Sequence, residues 1–170
     1  MNLVLIGMPG CGKSTVGVLL AKSLLLEFAD TDLLLQRKYK KSLCELLETL
    51  GLDAFKAAEN RLIAETVFTD SVIATGGSAV YGKEAMAALK AGGIVIYLQV
   101  PTAELAARIP DIKTRGVAMP ADMTLDALYT ERAPLYEAYA DLTIPCAGLT
   151  AEQTVSAVVQ AVLRHAKHDL

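Results

Sequence analysis

The chain has 170 residues, 53% hydrophobic and 21% charged, with a formal net charge of −3. That length suits one domain with a real core, and the lack of a long Lys/Arg-rich block gives no reason to expect a nucleic-acid partner. No apolar run reaches the roughly 18 residues of a membrane span. Cys11, Cys44 and Cys146, odd in number and without C-x-x-C spacing, argue against a disulfide framework or a zinc site.

The N-terminal apolar stretch is only a strand long and runs into a glycine-rich loop, which is not the form of a cleavable signal, so a reduced, cytoplasmic setting is expected. Short Val/Ile-rich runs then alternate with longer helical patterns, the sign of an α/β protein with a parallel sheet covered by helices. The first strand is predicted over 2–6 and the first helix over 12–25. Between them, Gly7-Met8-Pro9-Gly10-Cys11-Gly12-Lys13-Ser14-Thr15 fits the phosphate loop G-x-x-x-x-G-K-[ST]. Glycines at 7, 10 and 12 let backbone amides converge on a phosphate without side chains in the way. Lys13 would set an ammonium against the β- and γ-phosphates, Ser14 would ligate Mg²⁺, and the helix would aim its positive end at the anion. Cys11 reads as a small loop-filling residue. A nucleoside triphosphate is the expected ligand.

A second strand over 27–29 delivers Asp30-Thr31-Asp32 to the sheet edge where ligands of open α/β folds sit. In extended chain both carboxylates would share a face, one to hold a Mg²⁺ water and the other to orient or deprotonate an acceptor hydroxyl; helix capping is the plain alternative for either. Helix is expected through 33–37, with a restart at Ser42-Leu43-Cys44-Glu45, which has the form of a capping box. A further helix over 53–68 puts Lys56, Glu59 and Asn60 on one face. The third strand, 71–74, leads to Gly76-Gly77-Ser78, where paired glycines permit close approach to a ligand. Helix 83–91, strand 94–98 and helix 102–108 follow. Residues 109–120 carry two prolines, a glycine and two cations without helical period, a loop long enough to be a lid. A helix over 124–139, a strand over 142–144 and a closing helix capped by Thr150-Ala151-Glu152-Gln153 complete the chain. Lys56, Arg115 and Arg132 are cations scattered in sequence, which suits convergence on one small anionic ligand.

The order GMPGCGKST, DTD at 30–32, FKAAE at 55–59, ATGGSAV at 74–80, Arg115, and ERAPLYEAYAD at 131–141 resembles the shikimate kinase family over nearly the whole chain. The resemblance implies a three-layer P-loop kinase with a five-stranded parallel sheet of order 2-3-1-4-5, a substrate-binding subdomain at about 31–62 and a lid at about 109–123. It implies transfer of the ATP γ-phosphate to the 3-hydroxyl of shikimate with Mg²⁺, by a chain expected to act as a monomer. Position by position, Ser14 and Asp30 match the metal site and Asp32 the acid that holds the acceptor hydroxyls. Lys13 and Arg115 match phosphate contacts, within a nucleotide site formed by Gly10, Cys11, Gly12, Lys13, Ser14 and Thr15. Arg108 matches the arginine beside adenine, Gly77 lies in the substrate-binding glycine turn, and Arg132 matches one of two arginines on the substrate carboxylate.

Three positions depart from the family pattern. Lys56 stands where the second clamping arginine falls, trading a fork for a point charge. Ser78 replaces the third glycine of the turn, and Gly116-Val117-Ala118 replaces proline-leucine-leucine in the lid. All three lie on the substrate side or the lid. Two other readings remain open at this stage: a kinase for another hydroxy acid or polyol, such as gluconate or an aminated shikimate relative, and a nucleotide-binding module without transfer activity.

Overall fold

The structure is a computed structural model, and it describes residues 1–109 and 116–168. In chain order the elements are β1 (Asn2–Ile6), α1 (Lys13–Leu24), β2 (Glu27–Asp30), α2 (Thr31–Tyr39), α3 (Leu43–Leu50), α4 (Leu52–Glu65) and β3 (Ser71–Ala74). A single 3₁₀ turn (Ala79–Tyr81) follows, then α5 (Lys83–Gly92), β4 (Gly93–Gln99), α6 (Thr102–Arg108), α7 (Leu125–Tyr139), β5 (Leu142–Pro145) and α8 (Ala151–His168). The five strands form one parallel sheet in the order β2-β3-β1-β4-β5, with Leu5 in register with Ala74 on one side and Ile96 on the other. Every residue of β1 is buried, as a central parallel strand covered on both faces requires. The expected 2-3-1-4-5 sheet is therefore the observed one.

Local chemistry sets most element ends. Ser42 and Glu45 form the expected capping box, with Glu45 N–H donating to Ser42 Oγ at 3.3 Å and Ser42 N–H to Glu45 Oε2 at 2.7 Å. Thr150 and Gln153 repeat the arrangement ahead of α8, at 2.8 and 3.2 Å. The helix expected to reach residue 68 stops at Glu65, because the Asn2 side chain claims the chain beyond it. Asn2 Nδ2 donates to Phe68 O at 2.9 Å and Asn2 Oδ1 accepts from Ser71 N–H at 3.0 Å, which draws that connector out along the sheet edge.

The main core gathers both faces of the sheet. A second, smaller cluster of Leu35, Leu46, Phe55 and Ala118 binds α2, α3 and α4 to one another, with Leu43, Leu47 and Leu62 packed on it. Ala118 follows Gly116 and Val117, so this cluster also anchors the chain ahead of α7. Among the described residues no helix is long and apolar enough to cross a membrane.

Candidate active site

The loop between β1 and α1 leaves the carboxyl edge of the sheet, and α1 begins after Gly12 (φ 99°) with no side chain capping its first turn. Its leading amides are thus open to an external acceptor, the arrangement that binds phosphate. Lys13 is almost wholly buried, and its ammonium donates to the carbonyls of Gly7 at 2.7 Å and Met8 at 2.9 Å, with Cys11 Sγ 3.6 Å away. Cys11 is buried and fills the loop. Arg108 leans in from the end of α6, its Nη1 3.5 and 3.4 Å from the carbonyls of Gly10 and Cys11, while its other nitrogen pairs with Glu104.

Asp30 and Asp32 adopt a different relation from the extended pair anticipated. Asp30 ends β2 and caps α2: its Oδ1 accepts the amides of Asp32 at 3.0 Å and Leu33 at 3.2 Å, which commits Thr31 and Asp32 to helix. Its other oxygen, Oδ2, accepts Ser14 Oγ–H at 2.7 Å. Capping and the bond to Ser14 therefore use different oxygens of one carboxylate. Ser14 and Asp30 offer a close pair of oxygen donors beside the phosphate loop, the hard-ligand chemistry that Mg²⁺ takes while keeping most of its waters. Among the described residues no group of three or more His, Cys, Asp or Glu could hold a metal, so an all-protein cage is not on offer.

Asp32, in the first turn of α2, points the other way, toward Gly76. A Cβ on Gly76 would fall 2.6 Å from Asp32 Oδ1 and 2.2 Å from Glu59 Oε1, so two carboxylates crowd a point that only glycine leaves free. Burial, with Asp30 adding repulsion and Lys13 opposing it, lifts the Asp32 carboxyl to about 6. Burial lifts Glu59 to about 7 against the counter-effect of a hydrogen bond from Ser78, and Asp32 adds to the rise. Ser78 Oγ–H donates to Glu59 Oε2, whereas Oε1 has no partner among the described residues.

Arg132, on α7, is completely buried. Its Nη2 donates to Ala118 O at 2.6 Å and its Nε to Tyr81 Oη at 3.2 Å, while Nη1 has no partner among the described residues. A Cβ on Gly77 would sit 2.9 Å from that Nη1 and 3.1 Å from Pro9 Cδ, so the glycine turn is wedged between the phosphate loop and the arginine. Tyr136, one turn along α7, donates its hydroxyl to Gly77 O at 2.7 Å and stacks on Tyr97 of β4, ring centroids 5.1 Å apart. Lys56 does not line the cavity. Its ammonium lies 3.9 Å above the centre of the Tyr81 ring, and burial together with Arg132 lowers its pKa.

One cavity of about 360 Å³ joins these groups, lined by Gly10, Gly12, Lys13, Ser14, Thr15, Asp32, Gly77, Ser78, Arg108 and Arg132. That volume suits a small ligand. Arg115 lies outside the described residues, as do 110–114 of the anticipated lid. Sequence reasoning left out Glu59 and Tyr81 as site residues. Glu59 carried a readable signal: it falls midway between Phe55 and Ile63 at four-residue spacing, a charge on the buried stripe of α4. Tyr81 carried none, since the 3₁₀ turn that presents it has no marked sequence pattern.

A phosphate loop that shares one cavity with a perturbed acid and a buried arginine, at the head of a 2-3-1-4-5 parallel sheet, defines a P-loop kinase acting on small molecules. Comparison with known proteins narrows that class, because a model described as shikimate kinase matches residues 9–163. The chain belongs to the shikimate kinase family. It is 38% identical to the shikimate kinase of Pseudomonas entomophila over 146 residues, 84% of this chain and 85% of that one. With the Haemophilus influenzae shikimate kinase the identity is 34% over 165 residues, 95% and 92% of the two chains. The structure of shikimate kinase from Acinetobacter baumannii in complex with shikimate superposes with a TM-score of 0.87 at 30% identity, covering 96% of this chain and 93% of that one.

Proposed function

We propose that the protein transfers the γ-phosphate of ATP to the 3-hydroxyl of shikimate, the ligand held by its Acinetobacter relative. The observation that carries this is the Arg132 guanidinium, fully buried, with one nitrogen unpartnered among the described residues and in the same cavity as Lys13 and Asp32. A buried cation with a free donor calls for an anionic partner, and a carboxylate supplies one.

In this reading the amides of Gly10 to Thr15 cradle the phosphates, Arg108 lies along the base, and Lys13 leaves its own loop carbonyls for the β- and γ-oxygens. Ser14 and Asp30 would hold Mg²⁺, which when bound neutralises charge on the phosphates. Asp32 accepts the hydrogen of the acceptor hydroxyl and aligns it for in-line attack. A carboxyl near 6 is mostly ionised at neutral pH yet a better proton acceptor than an ordinary aspartate. Gly77 and Arg132 hold the acid end of the substrate with Lys56 close by, and Arg115 contacts the transferring phosphoryl group. Residues 31–62 act as the substrate-binding subdomain and 109–123 as the lid, in a monomer working in the cytoplasm.

An ADP-release assay over a panel of hydroxy acids and polyols tests the proposal. Shikimate-dependent turnover is expected. Turnover only with gluconate or an aminated relative would replace the substrate, and nucleotide binding without turnover on any acceptor would refute the kinase reading.

A further inference from the structure

The acid-binding end of the cavity has a feature outside the transfer machinery. Tyr81 stands at the centre of three side chains. Its hydroxyl donates to Glu131 and accepts from Arg132 Nε at 3.2 Å; its ring carries the Lys56 ammonium at 3.9 Å and the Arg132 guanidinium at 5.2 Å. Lys56 and Arg132 thus lie against one aromatic residue, and among the described residues neither has a carboxylate within ion-pair distance. Glu131 is adjacent in sequence to Arg132 and within reach of Lys56, yet its carboxylate is tied to the phenol. Were it released, it would pair with the cations and compete with an incoming carboxylate.

We propose that Tyr81 is the positioning residue of the carboxylate site: its hydroxyl orients Arg132 and withholds Glu131, while its ring stores the Lys56 ammonium beside the arginine. This rests on the reading of the substrate as a small hydroxy acid. A lysine head on an aromatic face is attracted without being paired to a carboxylate, so it stays available to an anion arriving next to it. A point charge on a flexible stem can move that short distance, which a fork locked by two hydrogen bonds cannot. The ring therefore makes a lysine serviceable at this position.

The test is Tyr81→Phe, which keeps the ring and deletes the hydroxyl. KM for shikimate should rise about five- to tenfold, the loss expected for one ordinary hydrogen bond, with kcat and the KM for ATP little changed. The same variant assayed with the uncharged carboxamide of shikimate should show no such rise, because the cations then have nothing to hold. Adding Glu131→Gln to Tyr81→Phe should recover most of the loss. Tyr81→Leu, which removes the ring as well, should raise KM further than Tyr81→Phe. An unchanged KM in Tyr81→Phe, an equal loss with acid and amide, or no recovery by Glu131→Gln would overturn the proposal. If the wild type turns over a different acid of the panel, that acid and its amide take the place of shikimate, so the substrate can be wrong and the clamp right. Turnover of no acid at all would overturn both.

Discussion

Replacing Glu59 by glutamine should change how stability depends on pH, and by an amount large enough to measure. Glu59 is 2% exposed, one of its oxygens has no partner among the described residues, and its neighbour Asp32 is also an acid. Burial raises its carboxyl from 4.5 to about 7. The native state therefore holds a proton that the unfolded chain releases above pH 4.5, and between the two values folding takes up protons. Stability linked to that proton is present in full below about pH 4.5 and is lost as pH rises to about 7. A shift of this size corresponds to roughly 3 kcal/mol. Glutamine keeps the shape, accepts the Ser78 hydroxyl through its oxygen and turns its amide toward Asp32, with no ionisation to pay for. Urea unfolding of the nucleotide-free protein, followed by circular dichroism from pH 4.5 to 8, should show the variant gaining on the wild type across the range. Asp32 titrates in both proteins, so the difference between the curves reports chiefly on Glu59. Parallel curves would refute the reasoning, since they would mean that Glu59 is ionised throughout.

Other substitutions probe neighbouring parts of the site. Gly76→Ala places a methyl 2.2 Å from Glu59 Oε1 and 2.6 Å from Asp32 Oδ1; turnover should fall at least about tenfold, with nucleotide affinity by fluorescence titration unchanged. Gly116→Ala puts a methyl 2.7 Å from Leu43 Cβ at a φ of +65°, against the start of α3. It should cost about 1–3 kcal/mol and lower the melting temperature by several degrees in a thermal scan. Ser14→Ala leaves Asp30 its capping bonds, so the fold should melt at the wild-type temperature while half-saturation for Mg²⁺ in the kinase assay rises about tenfold.

Much of this was readable in the residues because the information is local. The phosphate loop, the capping boxes at Ser42 and Thr150, and the alternation of apolar runs each depend on neighbours a few positions away, and the sheet order followed from the resemblance those motifs carry. The relation of Asp30 to Asp32 was misjudged for a physical reason. An aspartate at a strand end can either continue the strand or cap a helix, and the choice went to the two amides it could satisfy. The end of α4 was set by Asn2, more than sixty residues away, a contact that periodicity does not encode. Tyr81 escaped for a similar reason, since its importance comes from three side chains brought in by α4 and α7.

The stacked pair of Tyr97 and Tyr136 has an effect beyond filling space. Tyr136 fixes the direction of the Gly77 carbonyl, and a planar trans peptide sends the following N–H the opposite way. The bearing of the Ser78 amide is thereby inherited from an aromatic contact rooted in β4, a strand of the central sheet. Shaving the phenol from Tyr136 would let that amide swing while leaving every residue that faces the ligand in place.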